Sequence, residues 1–304
     1  IRLVSYTDTT NVAAASAELP LAFRDYRVEQ PVSDEVFEVF RQAYAYDNVP
    51  LNARLVSADT TDVWIRERIE LDAGYGGERL TTFVYLPRGF EAPHQTIVYF
   101  PGSGVIYRRS YDELSIDHLE FLLRGGRAVV FPVYKGTFER GTDLRSDIQD
   151  ESNHWRDHVI AWTKDFRRSI DYLETRDDID TDRLAYLGVS WGGAVAPMMV
   201  ALEERLRAVV IVVGGLLMQD TQPMADPFHF LPRVTQPTVM INARWDSFYP
   251  LETSGRPFFD NLGTPEDQRN LVIIDANHAV LSYARDHVGG EVRGSLDEYL
   301  DPVR

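Results

Sequence analysis

Three observations on the 304-residue sequence predict a three-layer α/β fold around a mostly parallel sheet. From Thr96 onward, short apolar segments of the buried type alternate with long amphipathic segments, an alternation that is typical of β–α–β units. Ahead of them, a glycine-rich turn at 72–77 separates two segments rich in β-branched and aromatic residues, which predicts an N-terminal β-hairpin. The composition, 44% hydrophobic and 26% charged, is that of an ordinary globular protein.

The individual elements follow from local patterns. Ser33, Asp34 and Glu35 supply N-capping chemistry before apolar residues at helical spacing, so a helix is expected at about 33–45. The two strands of the hairpin are expected at 63–71 and 79–86. The buried-type strands are predicted at 96–100, 128–133, 184–189, 209–213, 238–242 and 271–274. Helices on both faces of the sheet are predicted at roughly 112–124, 153–174, 192–204, 253–262 and 284–299.

The chain is expected to divide into an N-terminal extension, residues 1–59, and a catalytic α/β domain, residues 60–304. Residues 1–32 are expected to be weakly structured or to wrap around the domain, and the helix at 33–45 to pack on its core. Only 24 residues separate the strands at 209–213 and 238–242, too few for a large lid insert. We therefore expect the helix to lie near the functional site and to shape substrate access. A stabilising strap on the far side is the alternative.

Charge and cysteine content exclude several classes of function. With 31 basic and 47 acidic side chains the formal net charge is −16, which argues against nucleic acid as a partner because the chain repels phosphate backbones. The absence of cysteine excludes disulfides and thiolate chemistry, and no apolar run reaches the length of a membrane helix. The chain begins at Ile1 without methionine or a signal-peptide pattern, so we expect part of a longer protein, with room for a covalently linked domain upstream.

The strongest functional pattern is G-x-S-x-G at 188–192, between an apolar strand and the start of a helix. A serine on a sharp strand-to-helix turn projects its hydroxyl out of the sheet, and glycines on either side avoid steric collision there. Ser190 is therefore the candidate nucleophile. The helix behind it offers free backbone N–H groups, among them that of Trp191, for a developing oxyanion.

A serine nucleophile needs an acid and a base, which this kind of fold supplies later in the chain in the order acid, then histidine. Asp246 and His278 each follow a predicted strand, so both are expected at the carboxyl edge of the sheet with Ser190. Asp275 and Asp226 are competing acids. We prefer Asp246 because it follows its strand directly.

The second oxyanion donor is expected from the loop Phe100-Pro-Gly-Ser-Gly104, where two glycines let the backbone turn toward the nucleophile. The N–H of Ser103 is the candidate, paired with that of Trp191. Arg108 and Arg109 follow this loop and could attract an acidic substrate, although solvent-facing arginines are the more common outcome. The candidate pocket residues are Gly102, Gly104, Tyr134, Lys135 and Phe248.

These segments carry a family resemblance. Residues 177–193 resemble the nucleophile region of the dienelactone hydrolase, acetyl xylan esterase and prolyl oligopeptidase groups of α/β hydrolases, and 237–250 and 275–278 resemble their acid-bearing strand and histidine loop. The resemblance covers 96–300. It implies the α/β-hydrolase fold, with Ser190 as nucleophile, Asp246 as acid and His278 as base.

Other stretches are similar to uncharacterised bacterial hydrolase domains, some of which are fused behind serine/threonine protein kinases. These stretches are 99–104, 132–140 and 230–233. Many relatives have His-Gly-Gly where this chain has Pro101, Gly102 and Ser103. The backbone role of that loop is kept, but its substrate contacts differ.

The function expected from these residues is a cofactor-independent serine carboxylester hydrolase for a small-molecule ester, short-chain or aryl. A serine peptidase is the first alternative, although the peptidase relatives usually add a large propeller that 59 residues cannot make. A non-catalytic sensor or interaction domain on a hydrolase scaffold is the second. No metal site is expected. The calcium-like spacing at 178–182 and the histidine pair at 154 and 158 each lack a required partner residue.

Overall fold

A computed structural model of the chain describes residues 24–47 and 49–303. Most of the stretch predicted to be weakly structured or wrapping therefore lies outside the described residues. The described strands are β1 Arg54–Thr60, β2 Trp64–Asp72, β3 Arg79–Pro87, β4 His94–Phe100, β5 Ala128–Pro132, β6 Ile179–Val189, β7 Leu206–Val212, β8 Thr238–Ala243 and β9 Arg269–Ile274. The described α-helices are α1 Asp34–Ala43, α2 Glu120–Arg124, α3 Asn153–Leu173, α4 Trp191–Val200, α5 Pro227–Phe230, α6 Arg256–Asp260, α7 Val280–Tyr283 and α8 Arg285–Leu300.

The nine described strands form one sheet in the order β1-β2-β3-β5-β4-β6-β7-β8-β9. The pairs β1–β2, β2–β3 and β3–β5 are antiparallel, and every pair from β5 to β9 is parallel. The predicted N-terminal hairpin corresponds to β2 and β3. Because β4, β6, β8 and β9 are parallel, the loops after them lie at one edge of the sheet, where this class of fold binds its ligands.

Helices cover both faces of the sheet, as the sequence predicts. Along β6, Tyr186 packs edge-on against Phe166 of α3 at 5.5 Å between ring centroids. Leu187, the next residue, lines a small pocket together with Val288 of α8 on the other face. Alternate residues of a strand point to opposite faces, so the continuous apolar pattern of β6 reflects burial on both sides.

The first strand of the sheet is an element that the sequence analysis missed. Every residue of β1 is exposed, and β1 is an edge strand that pairs on one side only, with β2. An exposed edge strand carries no apolar alternation, which is the pattern used to find strands. The predicted boundary between residues 59 and 60 lies within β1, so part of the proposed extension belongs to the sheet. The division into an extension and a catalytic domain stays a prediction.

Helix α1 packs on the segment that connects β7 to β8. The rings of Phe37 and Tyr44 meet Phe230 edge-on, at 5.2 and 5.6 Å between centroids. The Tyr44 hydroxyl donates to the Met224 carbonyl at 2.6 Å, and the Arg233 guanidinium lies over the Phe37 ring. These contacts bury one face of α1 against the core.

Candidate active site

Ser190 occupies a strained turn between β6 and α4. Its backbone has φ +54° and ψ −110°, an unfavourable conformation for a residue with a side chain. A Cβ on Gly192 would lie 2.2 Å from the Phe100 carbonyl oxygen, and one on Gly188 would lie 2.5 Å from the Gly192 carbonyl oxygen. The glycines of the G-x-S-x-G pattern are therefore required by close backbone packing around the serine.

A continuous hydrogen-bond chain links the three side chains that the sequence analysis selected. Ser190 Oγ lies 2.8 Å from His278 Nε2, and His278 Nδ1 lies 2.8 Å from Asp246 Oδ2. Because Asp246 accepts, Nδ1 carries the ring proton and Nε2 is free to accept the Ser190 proton. This arrangement can deprotonate a serine hydroxyl.

The fold fixes the Asp246 carboxylate from its other side. The side chain is fully buried, and its Oδ1 accepts the backbone N–H groups of Phe248 at 2.8 Å and Tyr249 at 3.0 Å. The competing acids lie elsewhere. Asp275 is exposed and pairs with Arg244, while Asp226 caps α5 and pairs with Arg24 at 2.7 Å.

The two candidate oxyanion donors lie at the first residues of two helical turns beside Ser190. Trp191 begins α4, and Ser103 begins a short 3₁₀ helix, Ser103–Tyr107. The N–H groups at the start of a helix have no partner within it. The Gly192 N–H donates to the Pro101 carbonyl at 3.0 Å, which ties the loop after β4 to the start of α4.

A cavity of about 420 Å³ opens onto Ser190 and His278. Four of the predicted site residues in addition to these line it: Gly102, Ser103, Gly104 and Phe248. Its walls are mainly apolar and carry two charged side chains, Arg108 and Asp147. Of the two arginines considered from the sequence, Arg108 lines the cavity and Arg109 does not.

Tyr134 and Lys135 do not line this cavity, and their assignment to the pocket is wrong. Tyr134 is fully buried, and its hydroxyl donates to the Tyr99 carbonyl at 3.1 Å. The Lys135 ammonium pairs with Glu78, and its backbone N–H donates to the buried Asp165 at 3.0 Å. The turn after β5 is thus tied to α3 through Asp165.

Helix α1 does not shape the cavity either. Among the described residues, none of α1 lines the space around Ser190. The aromatic face of α1 is occupied by Phe230 and the neighbouring segment. These contacts fit a stabilising strap better than a helix that shapes substrate access.

Tyr249, Asp147 and His118 are among the residues near the site that were not found from the sequence. Tyr249 lies in the Asp246 loop, where its backbone N–H donates to Asp246. Asp147 lines the cavity from a long irregular segment before α3. His118 also lines it, with its Nε2 3.1 Å from the Tyr99 hydroxyl, and burial lowers its pKa from the ordinary value. Asp147 and His118 belong to irregular segments without a motif, so no pattern points to them.

Within the described ranges, no group of three or more histidine or acidic side chains could hold a metal ion. The ring nitrogens of His158 face the His154 carbonyl at 2.8 Å and the Thr142 hydroxyl at 2.9 Å. At the calcium-like spacing, Asp178 pairs with Arg176, and Asp180 with Arg183. The part of the chain that the structure describes contains no helix long and apolar enough to span a membrane.

Comparison with known proteins places these features in a family context. Residues 114–238 match the model of the prolyl oligopeptidase family, a range that includes Ser190. A cutinase, est2 of Thermobifida alba, is 22% identical over 160 residues, 51% of this chain and 50% of that protein. The putative hydrolase YtaP of Bacillus subtilis is 25% identical over 175 residues, 54% of this chain and 58% of that protein. The matched part thus spans about half of the cutinase and 58% of YtaP.

Solved structures match over a larger part of the chain. Acetyl xylan esterase 1 from Thermoanaerobacterium sp. JW/SL YS485 superposes with a TM-score of 0.69 at 16% identity, covering 91% of this chain and 96% of that one. An acetyl xylan esterase from Paenibacillus sp. R4 gives a TM-score of 0.68 at 17% identity, covering 90% and 96%. The chain has the α/β-hydrolase fold. The fold predicted from the sequence is confirmed.

Proposed function

We propose that this chain is a serine carboxylester hydrolase with Ser190 as nucleophile, His278 as general base and acid, and Asp246 as the residue that orients His278. The observation that carries the proposal is the hydrogen-bond chain Ser190–His278–Asp246, with both links at 2.8 Å, at the wall of an open cavity. The structural similarity to two acetyl xylan esterases supports it.

In the first half of the reaction, Ser190 Oγ attacks the ester carbonyl and His278 Nε2 takes the serine proton. The carbonyl oxygen gains negative charge, and the backbone N–H groups of Ser103 and Trp191 are the donors that stabilise it. His278 then protonates the departing alcohol, which leaves an acyl group on Ser190. In the second half, His278 activates a water that releases the acid and restores the serine hydroxyl.

The substrate we propose is a short-chain or aryl ester. A cavity of about 420 Å³ with mainly apolar walls accommodates a small acyl or aryl group. The match to the prolyl oligopeptidase family favours a second candidate, a serine peptidase. The structural similarity to acetyl xylan esterases favours esters over peptides.

The test is a panel of chromogenic esters of increasing acyl length, run beside a panel of aminoacyl arylamides. We expect ester turnover with a preference for short or aryl groups, and a loss of about four to six orders of magnitude in Ser190→Ala. An alanine variant that keeps a tenth of the activity contradicts the serine mechanism. Arylamide turnover above ester turnover establishes the peptidase instead.

Two further measurements separate catalysis from a binding role. A fluorophosphonate should label Ser190 covalently, whereas a sensor domain on this scaffold leaves Ser190 unlabelled. Treatment with EDTA should leave ester turnover unchanged because no step of the proposed mechanism uses a metal. A loss on chelation that zinc or calcium restores contradicts this mechanism.

A further inference from the structure

A second, small pocket adjoins the active-site cavity. This space, the α8 pocket, has a volume of about 20 Å³ and mainly apolar walls, so it has room for about one water-sized group. The sheet contributes Leu187 and Val189 of β6 and Val212 of β7, and helix α8 contributes Val288 and Val292. Val189 directly precedes the proposed nucleophile in the chain, so the α8 pocket reaches the end of the strand that carries it.

Two residues, His118 and Leu281, line both the active-site cavity and the α8 pocket. Residues that line two neighbouring spaces lie between them, so these two form a partition. His118 is held in place, because its Nε2 lies 3.1 Å from the hydroxyl of Tyr99, a buried residue that packs edge-on against Phe131. Leu281 is held only by apolar packing against the core. Leu281 is therefore the part of the partition that a substitution removes without breaking a side-chain hydrogen bond.

The order of the reaction assigns this partition to the acyl half of an ester. After attack the acyl group stays bonded to Ser190 Oγ, whereas the alcohol has to leave for solvent. On the cavity wall Phe248 is 68% exposed, so the cavity opens to solvent on that side. The partition instead faces a pocket lined by buried residues such as Val288, which is 1% exposed. The alcohol therefore departs past Phe248, and the acyl group lies toward the partition.

We propose that Leu281 is a specificity-determining residue which, with His118, closes the acyl end of the cavity against the α8 pocket and so restricts the acyl group to short chains. This inference rests on the proposed function. Each methylene of an acyl chain that leaves water favours binding by about fourfold. Methylenes that meet the partition gain nothing, because they stay in water or push packed side chains aside at a cost. The partition thus sets the chain length at which kcat/KM stops rising.

The experiment measures kcat/KM of the full chain on p-nitrophenyl esters from acetate to octanoate. The quantity compared is the ratio of kcat/KM for octanoate to that for acetate. Leu281→Ala removes the apolar part of the partition and joins the two spaces. We expect the ratio to rise at least tenfold, which corresponds to about two further methylenes out of water. A ratio within twofold of the wild type overturns the inference. A wild type that hydrolyses octanoate as well as acetate also overturns it, because no partition then limits the chain.

The matched control is Leu114→Ala. Leu114 lines the active-site cavity, as Leu281 does, but it does not line the α8 pocket. The same change of side chain there widens the cavity without opening it to a second space. The octanoate-to-acetate ratio should rise less than a third as much as in Leu281→Ala. Equal rises in the two variants would mean that any widening has this effect, and they overturn the specific role of Leu281.

A substitution on the far side of the partition tests whether the two spaces join. Gly289 of α8 lines the α8 pocket and not the active-site cavity, and a Cβ there would lie 3.6 Å from Phe121 Cδ2, an ordinary contact. In the wild-type background Gly289→Ala should leave the ratio unchanged. In Leu281→Ala it should lower the ratio about threefold, because the new methyl group takes the place of about one methylene. The same effect in both backgrounds overturns the joining of the two spaces.

Leu281→Val covers the case in which the alanine variant does not fold. Its ratio should rise at least threefold, and an unchanged ratio overturns the inference. Acetate esters of alcohols of increasing length, followed by acid release, test the assigned half of the substrate. Leu281→Ala should keep the wild-type ranking of these esters, and a gain confined to the alcohol series overturns the acyl assignment. Wild-type protein that hydrolyses no ester of either series overturns the proposed function instead.

Discussion

His278 Nδ1 lies 2.8 Å from Asp246 Oδ2, although 32 residues separate the two in the chain. Asp275 is only three residues from His278 in the sequence, yet its side chain is 77% exposed and faces Arg244. The sheet explains the difference, because β8 and β9 pair in parallel with Ala243 opposite Ile274. The loops after these two strands therefore start side by side, and the buried acid of one meets the histidine of the other.

This relationship predicts a ranking of two conservative substitutions. Asp246→Asn should lower kcat by about four orders of magnitude, because an amide in place of the carboxylate favours the wrong tautomer of His278. Asp275→Asn should leave kcat within about threefold of the wild type, because it changes an exposed ion pair. Steady-state kinetics of both variants on one ester measure this ranking. A larger loss of kcat in Asp275→Asn than in Asp246→Asn would assign the acid to Asp275.

The sequence predicts those site residues whose identity or position is required by sterics or by the topology of the sheet. Ser190 is found because its turn needs glycine at 188 and 192, where a Cβ would collide with backbone. Asp246 and His278 are found because each lies in the loop that follows a strand of the parallel sheet. In these cases the local pattern and the fold impose the same residue types.

The parts that the sequence does not predict depend on contacts between distant segments. Position after a strand suggested Tyr134 and Lys135 as pocket residues, but Lys135 is bound by Glu78, which precedes β3, and by Asp165 of α3. The apolar face of α1 predicted packing without naming its partner, which is Phe230. Side chains in an irregular loop follow no periodic pattern. The sequence therefore offered no reason to select Tyr249 as well as its neighbour Phe248.

A second prediction concerns the glycine behind the nucleophile. In Gly192→Ala the new Cβ would lie 2.2 Å from the Phe100 carbonyl oxygen, so the start of α4 must move away from the loop after β4. We expect a loss of at least a hundredfold in kcat, with a lower melting temperature, because this shift displaces the N–H group of Trp191, a proposed oxyanion donor.

The controls for this substitution lie in α8. Cβ atoms on Gly290 and Gly294 would meet nothing within 4 Å. Alanine at either position should raise the free energy of unfolding by about 0.5–1 kcal/mol, because alanine favours the helix, and should leave kcat unchanged. A Gly192→Ala enzyme with wild-type kcat would contradict the assigned role of this close packing.

A third prediction tests the contacts of α1. Phe37 is 5% exposed and packs edge-on against Phe230, so Phe37→Ala should lower the free energy of unfolding by about 3 kcal/mol. Val39 on the same helix is 60% exposed, and Val39→Ala should change it by less than about 0.5 kcal/mol. Urea unfolding measures both. Neither variant should alter acyl-chain preference, and a shift in Phe37→Ala would reinstate α1 as part of substrate access.

The last prediction concerns His158, whose side chain is buried in α3 with both ring nitrogens engaged. Burial lowers its pKa below the ordinary value of 6.5, so on acidification the unfolded chain binds a proton before the folded chain does. The stability contributed by neutral His158 is therefore present above about pH 6.5 and is lost as the pH falls toward the lowered folded pKa, by at most about 1.4 kcal/mol per pH unit.

His158→Gln keeps a hydrogen-bonding side chain in that place and removes the titration. Between pH 7.5 and 5.5, the wild type should lose more of its free energy of unfolding than the variant, by up to about 1 kcal/mol. The lowered pKa values of His94, His118 and His229 also destabilise the wild type in acid, but they act equally in both proteins and cancel in the difference. Urea unfolding of both proteins at the two pH values measures it. Parallel losses in the two proteins would mean that His158 titrates alike in the folded and unfolded chain.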